Sequence, residues 1–199
     1  MYIAVGKALL TVKGVVDSGV YESTDSESTY LLTVPSGEAW LVYYAGTDAT
    51  FYLYDGTLQG DVPIGSAGKL AGVLPLKAGW SLQVTFSAAG QRARALAFKL
   101  DPAQVSVLGG VVSIPGDTTQ DVLEPSNKYR VLVHATTKGD GTNPGTVIAY
   151  HGRTANTVLA SGTGNVVYFG AADEFLKISI RNEASAATKC NLVALEVQY

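Results

Sequence analysis

A chain of 199 residues carries 17 acidic against 14 basic side chains, a formal net charge of −3, and 16% charged residues, where soluble proteins average about 25%. That length suits one large domain or two of about 100 residues, and the charge balance lacks the basic footprint of a nucleic-acid binder. The lone Cys190 excludes an internal disulfide framework and a cysteine-built zinc centre, and the longest uncharged run, Thr154 to Ala172, is too polar for a membrane helix.

In chain order, Met1 to Lys7 lacks the basic-then-apolar layout of a secretory signal, so synthesis in a reducing cytosol without secretion is expected. Pro35-Ser36-Gly37 reads as a turn. Ala39 to Tyr44 follows, apolar on both faces, which predicts a central strand covered twice or a strand at an interface. Phe51-Tyr52-Leu53-Tyr54 alternates and ends at the turn former Asp55-Gly56. After Lys77-Ala78-Gly79, the run Trp80 to Phe86 alternates throughout, the period-2 signature of a half-buried strand. Ser87 to Gln91 has paired alanines but is short and holds Gly90, so a turn is expected rather than a helix. Pro102 blocks strand continuation beyond Leu100 and Asp101. In the second half, Pro125-Ser126-Asn127, Asp140-Gly141 and His151-Gly152 punctuate further strands, among them Leu176 to Ile180. Such spacing predicts an all-β sandwich or barrel.

The two halves repeat. Pro35-Ser36 with Ala39 to Val42 matches Pro125-Ser126 with Tyr129 to Leu132 at an offset of 90, and Tyr54-Asp55-Gly56 matches Tyr150-His151-Gly152 at 96. The strand Leu82 to Phe86 matches Leu176 to Ile180 at 94, and Ala95 to Phe98 matches Ala194 to Val197 at 99. Four anchors in the same order predict two tandem antiparallel β-sandwich units, residues 1–101 and 102–199, with Lys138 to Asn143 as an insertion at a hairpin tip.

Chemistry is sparse. His134 reads as a structural strand histidine and His151 as a turn residue, neither with a nucleophile elbow beside it, and Cys190 as a small buried hydrophobe. Adjacent Asp173 and Glu174 would point to opposite faces of a strand, whereas Asp25 and Glu27 lie in a solvated loop. Asp140 and Asn143 offer oxygen ligands without the spacing of a calcium loop, and Gly109-Gly110 lacks the lysine of a phosphate loop. No catalytic, cofactor or metal residue is predicted. The aromatic side chains are the remaining candidates, with Trp40, Tyr44, Tyr52 and Tyr54 expected to form an interface and, as the second choice, a sugar-binding platform.

Val34-Pro35-Ser36-Gly37 followed by Trp40-Leu41-Val42, then Leu76-Lys77-Ala78-Gly79-Trp80-Ser81-Leu82 and a closing Ala95 to Phe98 strand, resembles small jelly-roll modules of tailed-bacteriophage virions. The second half departs from that pattern, with Asn127 at the glycine position and Ala172-Asp173-Glu174 at the turn. The resemblance implies a non-enzymatic virion protein without a cofactor, foremost a capsid decoration (cement) protein, with a tail or fibre component or a carbohydrate-binding host-recognition module as alternatives. The implied partners are the major capsid protein or other virion proteins and further copies of the chain, a trimer favoured, with a glycan as an additional partner class but neither nucleic acid nor membrane.

Overall fold

The computed structural model describes residues 1–65, 72–126, 128–151, 155–172 and 177–198, the side chains of 151, 155–156 and 171–172 excepted. Its elements are all strands: β1 (Tyr2–Val5), β2 (Ala8–Glu22), β3 (Glu27–Thr33), β4 (Ala39–Thr47), β5 (Ala49–Tyr54), β6 (Gly72–Lys77), β7 (Ser81–Phe86) and β8 (Arg92–Leu100) in the first half. The second half contributes β9 (Val105–Ile114), β10 (Thr118–Leu123), β11 (Arg130–Lys138), β12 (Gly145–His151), β13 (Ala155–Gly162), β14 (Asn165–Ala172), β15 (Lys177–Asn182) and β16 (Thr188–Val197).

The alternation read from the sequence sets which way each strand faces. In β7, Leu82, Val84 and Phe86 are fully buried while Gln83 and Thr85 point outward, and in β15 Ile178 and Ile180 are buried. Ser87 to Gly90 forms the expected turn, with Gly90 at φ 79°. All pairings are antiparallel, and each sheet takes its strands from one side of Asp101. The first unit stacks β1-β2-β8-β4-β6 against β3-β7-β5, and the second stacks β9-β16-β11-β14 against β10-β15-β12-β13.

The second unit is thus a complete eight-strand jelly roll, two four-stranded sheets wound together. The first repeats it strand for strand, β2-β8-β4-β6 for β9-β16-β11-β14 and β3-β7-β5 for β10-β15-β12, with β1 as an addition. At the place of β13, the segment 59–65 runs beside β5 through two isolated bridges, Tyr54 with Gln59 and Phe51 with Gly65. The β11–β12 connection, which holds Asp140-Gly141, is the expected insertion, since β4 and β5 are joined by Asp48 alone. Asp55-Gly56, in contrast, opens this long crossing segment rather than a tight hairpin.

One anchor needs correction. Ala95 and Ala194 both point into their own sandwich, but Tyr44 pairs with Ala95 whereas Val133 pairs with Ala194, an offset of 89 instead of 90. Before a β-bulge between Arg130 and Leu132 the offset is 88, with Arg130 opposite Glu196 as Val42 is opposite Ala97, and the extra residue of the bulge makes it 89. A shift of one residue exchanges the two faces, so Leu132 looks out of its sandwich where Val42 looks into its own.

The β9-β16-β11-β14 sheet of the second unit is covered on both faces along β16. In β16, Cys190, Leu192 and Ala194 fill its own core, while Val193, Leu195 and Val197 join the core cluster of the first unit. Strands β6 and β4 lie against β9, and β6 also against β16. Within β9, Gly109 sits at φ 91°, and a Cβ there would stand 2.1 Å from the Leu192 carbonyl oxygen. Gly109→Ala is therefore expected to cost about 2–3 kcal/mol through strain and forced separation of β9 from β16. Gly141→Ala, at φ 92° in open space, should cost about 1 kcal/mol. Urea denaturation of the two variants checks the contrast, and equal midpoints would refute it.

Candidate functional site

The four aromatic residues singled out from the sequence do not share a surface. Trp40 and Tyr44 are each only 3% exposed, because they stand on the face of β4 that looks into the first sandwich. The Trp40 indole nitrogen donates to Glu38, and the Lys99 ammonium lies 5.5 Å from the ring centre. Hydrogen bonds from Trp40 and Lys99 hold the Glu38 carboxyl below its usual range. Tyr44 packs against Phe51 with ring centres 4.7 Å apart and planes tilted by 46°, donates its hydroxyl to the Ile64 carbonyl at 3.1 Å, and is pushed well above the ordinary tyrosine range by burial. Neither ring is available to a partner on the outside. Periodicity could not separate them from outward aromatics, because β4 is apolar on both faces: Leu41 is covered on its outer side too, and Tyr43 is 38% exposed.

Tyr52 and Tyr54 do face outward, opposite Phe51 and Leu53, as alternation along β5 requires. The cross-strand registers place them in an ordered array on the outer face of β3-β7-β5. One row is Ser28, Thr85 and Thr50; the next is Tyr30, Gln83 and Tyr52; the third is Thr33, Ser81 and Tyr54. Ser28 and Thr85 share a hydroxyl hydrogen bond of 2.8 Å, as do Thr33 and Ser81, and the rings of Tyr30 and Tyr54 lie 5.6 Å apart. Tyr30 and Gln83 were missed by sequence reading. The alternation of Trp80 to Phe86 marks Gln83 as outward, but only the register puts it between two tyrosines.

The described groups with reactive chemistry are buried or engaged in local hydrogen bonds. His134 is 1% exposed, and its Nε2 lies 3.3 Å from the Ile64 carbonyl oxygen. Burial drives its pKa down to about 4, against the smaller opposing effect of that hydrogen bond, so the ring is neutral with Nε2–H as donor. Cys190 is buried and its thiol is pushed up to about 11. Asp140 accepts from the Thr142 amide at 2.7 Å and from the Asn143 side chain at 2.8 Å, which leaves this pair closed on itself. Glu27 accepts from the Thr24 amide and the Tyr21 hydroxyl, and Asp25 from the Ser26 amide. Gly109-Gly110 lies inside β9, within a strand and not a loop. The His151 side chain, Asp173 and Glu174 fall outside the described residues. Among the described residues, no group of three His, Cys, Asp or Glu side chains could hold a metal ion, and no helix is long and apolar enough to cross a membrane.

Between the units, the segment 55–65 acts as a clasp. Asp55 accepts the amides of Thr57, Leu58 and, across the junction, Val111 at 2.9 Å. Burial raises its pKa, but these three donors outweigh burial and hold the carboxyl below its usual value. Asp61 exchanges hydrogen bonds with the Lys189 backbone, and Asn191 donates to the Val62 carbonyl at 2.9 Å. Beside the clasp lies an apolar cavity of about 640 Å³ lined by Tyr43, Tyr44, Ile64, His134, Val167 and Phe169, among others.

The sequence matches no family model, and no curated protein matches it. Among solved structures, the crystal structure of PBSX exported protein XepA aligns over 96% of this chain and 91% of that one, at 7% identity and a TM-score of 0.34. A likeness this loose transfers no function. The two turn motifs singled out from the sequence meet in space. Val34 donates to the Trp80 carbonyl and Gly79 donates to the Val34 carbonyl, both at 2.9 Å, so the two motifs form one joint at the end of the sandwich. Gly37 and Gly79 stand at φ 79° and 82°, where glycine is favoured.

Proposed function

We propose that this chain is a non-enzymatic structural protein of a tailed-phage virion, a capsid decoration protein that works by adhesion. The observation that carries the reading is the β1–β2 hairpin. β1 has no counterpart in the second unit, and the hairpin presents Tyr2 at 67% and Leu9 at 64% exposure. Tyr2 pairs with Thr11 and Leu9 with Ala4, so both large side chains stand on one face at the edge of a sheet. An edge strand offers unpaired backbone groups as well as side chains. Apolar surface buried there contributes roughly 25 cal/mol per Å², offset by the cost of association and multiplied over the sites of a shell. The virion-like motifs of the first unit support the same reading.

Purified protein is expected to bind expanded phage shells and raise their rupture temperature. Leu9→Asp should weaken that binding about tenfold or more while leaving the melting temperature of the free protein almost unchanged. Failure of the unaltered protein to bind shells overturns decoration. Labelling inside intact particles, by electron microscopy, separates a capsid site from a tail or fibre site, and sedimentation equilibrium tests the trimer.

A further inference from the structure

We propose that the outer face of β3-β7-β5 is a platform for a neutral polysaccharide. The inference does not depend on the virion reading. Every outward side chain in its three rows bears a hydroxyl or an amide, and none is charged or aliphatic. That composition is unusual for a solvated sheet face, which ordinarily carries charges that keep it soluble and unpaired. The core of a protein interface is likewise poor in charge and rich in tyrosine, but it is apolar between its rings, whereas here hydroxyl and amide groups fill those positions.

A sugar ring has the complementary construction. Its C–H faces lie against aromatic rings, while its hydroxyls, donors and acceptors at once, run along the edges. Tyr30, at 50% exposure, and Tyr52 stand two strands apart across Gln83, about 9.5 Å. Tyr54 extends the aromatic run along β5, beside Tyr30. Linked sugar rings can therefore span the rows, with a ring stacked at either end and polar groups between. Gln83 supplies the second observation. Its Oε1 is buried and has no hydrogen-bond donor, an unmet acceptor in the middle row that costs free energy until a donor reaches it. The absence of charge from the three rows specifies the ligand further: a neutral chain fits, whereas a sulfated or uronic acid polymer finds no cation within them.

The test is native affinity electrophoresis of the whole protein in gels containing dextran, mannan, hydroxyethyl cellulose or mixed-linkage β-glucan. At least one gel is expected to retard the protein. Tyr30→Ala, at an exposed position, should weaken the apparent affinity about tenfold. Thr85→Arg, which sets a charged side chain on the flat face without removing core atoms, should abolish retardation. Tyr43→Ala, on the other sheet, should leave it unchanged. Thermal melts of each variant establish that the fold persists. No retardation in any of the four gels overturns the proposal, as does retardation that survives Thr85→Arg. Loss of shell binding in Thr85→Arg, without retardation of the unaltered protein in any gel, would instead make this face a protein interface. The shell-binding result with Leu9→Asp is read separately, so failure of the platform and failure of the decoration role are distinguishable.

Discussion

Trp40→Ala is expected to destabilise the protein by about 3–5 kcal/mol, the range for truncating a large buried aromatic side chain. The ring is 3% exposed within the first core, on the face of β4 shared with Val42 and directly opposite Leu76, and its nitrogen is satisfied by Glu38. Truncation leaves a cavity, removes the donor that lowers the Glu38 carboxyl, and takes away the surface over which Lys99 lies. Urea denaturation should show the midpoint falling with little change in slope. Tyr54→Ala, on the outer face, should cost about 1 kcal/mol or less. If Trp40→Ala retained full stability, Trp40 could not be the core residue the structure makes it. The comparison also means that loss of binding in a Trp40 variant reports on folding, whereas loss in a Tyr30 variant reports on a surface.

Acidification should loosen the junction between the units. His134 has a native pKa of about 4 against an ordinary value of 6.5. Between those two values the unfolded chain binds a proton that the native chain refuses. Stability is therefore fully present above pH 6.5 and declines as pH falls toward 4, by roughly 3 kcal/mol in total. The groups around the ring explain the refusal: Nε2–H is committed to the Ile64 carbonyl, Tyr44 donates to the same oxygen, and Nδ1 is buried without a partner. A second proton would have no acceptor. Asp55 acts at lower pH. Its carboxyl is held below 3.8, so its contribution is present above that value and is lost as pH falls through the native pKa. Denaturation midpoints at pH 7, 6, 5 and 4.5 should trace the first decline, and His134→Leu should flatten it. An equal slope in that variant would assign the acid sensitivity elsewhere.

The parts legible in the sequence are those set by near neighbours. Alternation in Trp80 to Phe86 and in Ile178 and Ile180 reports which side chains turn inward, because successive residues of a strand point to opposite faces. Turn residues announce their own positions, and Gly37 and Gly79 take the left-handed conformations that glycine favours. The doubling of the fold was legible for the same reason, since both units repeat these local signals in order. The failures share a cause as well. Trp40 and Tyr44 were grouped with Tyr52 and Tyr54 because aromatic residues close in sequence look alike until a second sheet covers some of them. The bulge before Leu132 left no distinct mark, yet it turned the repeat by one residue and exchanged two faces.

What the amino-acid order determined alone was strand character, turn positions and a repeated all-β plan. Only the tertiary structure decided which faces meet. Asp61 touches Lys189 across 128 residues, His134 reaches Ile64 across 70, and Tyr30 aligns with Gln83 and Tyr52 through two separate ladders. Periodicity measures the direction of a side chain relative to its own strand. It carries no information about what lies opposite, because that surface is supplied by residues far away along the chain, and their arrival depends on how both sandwiches close.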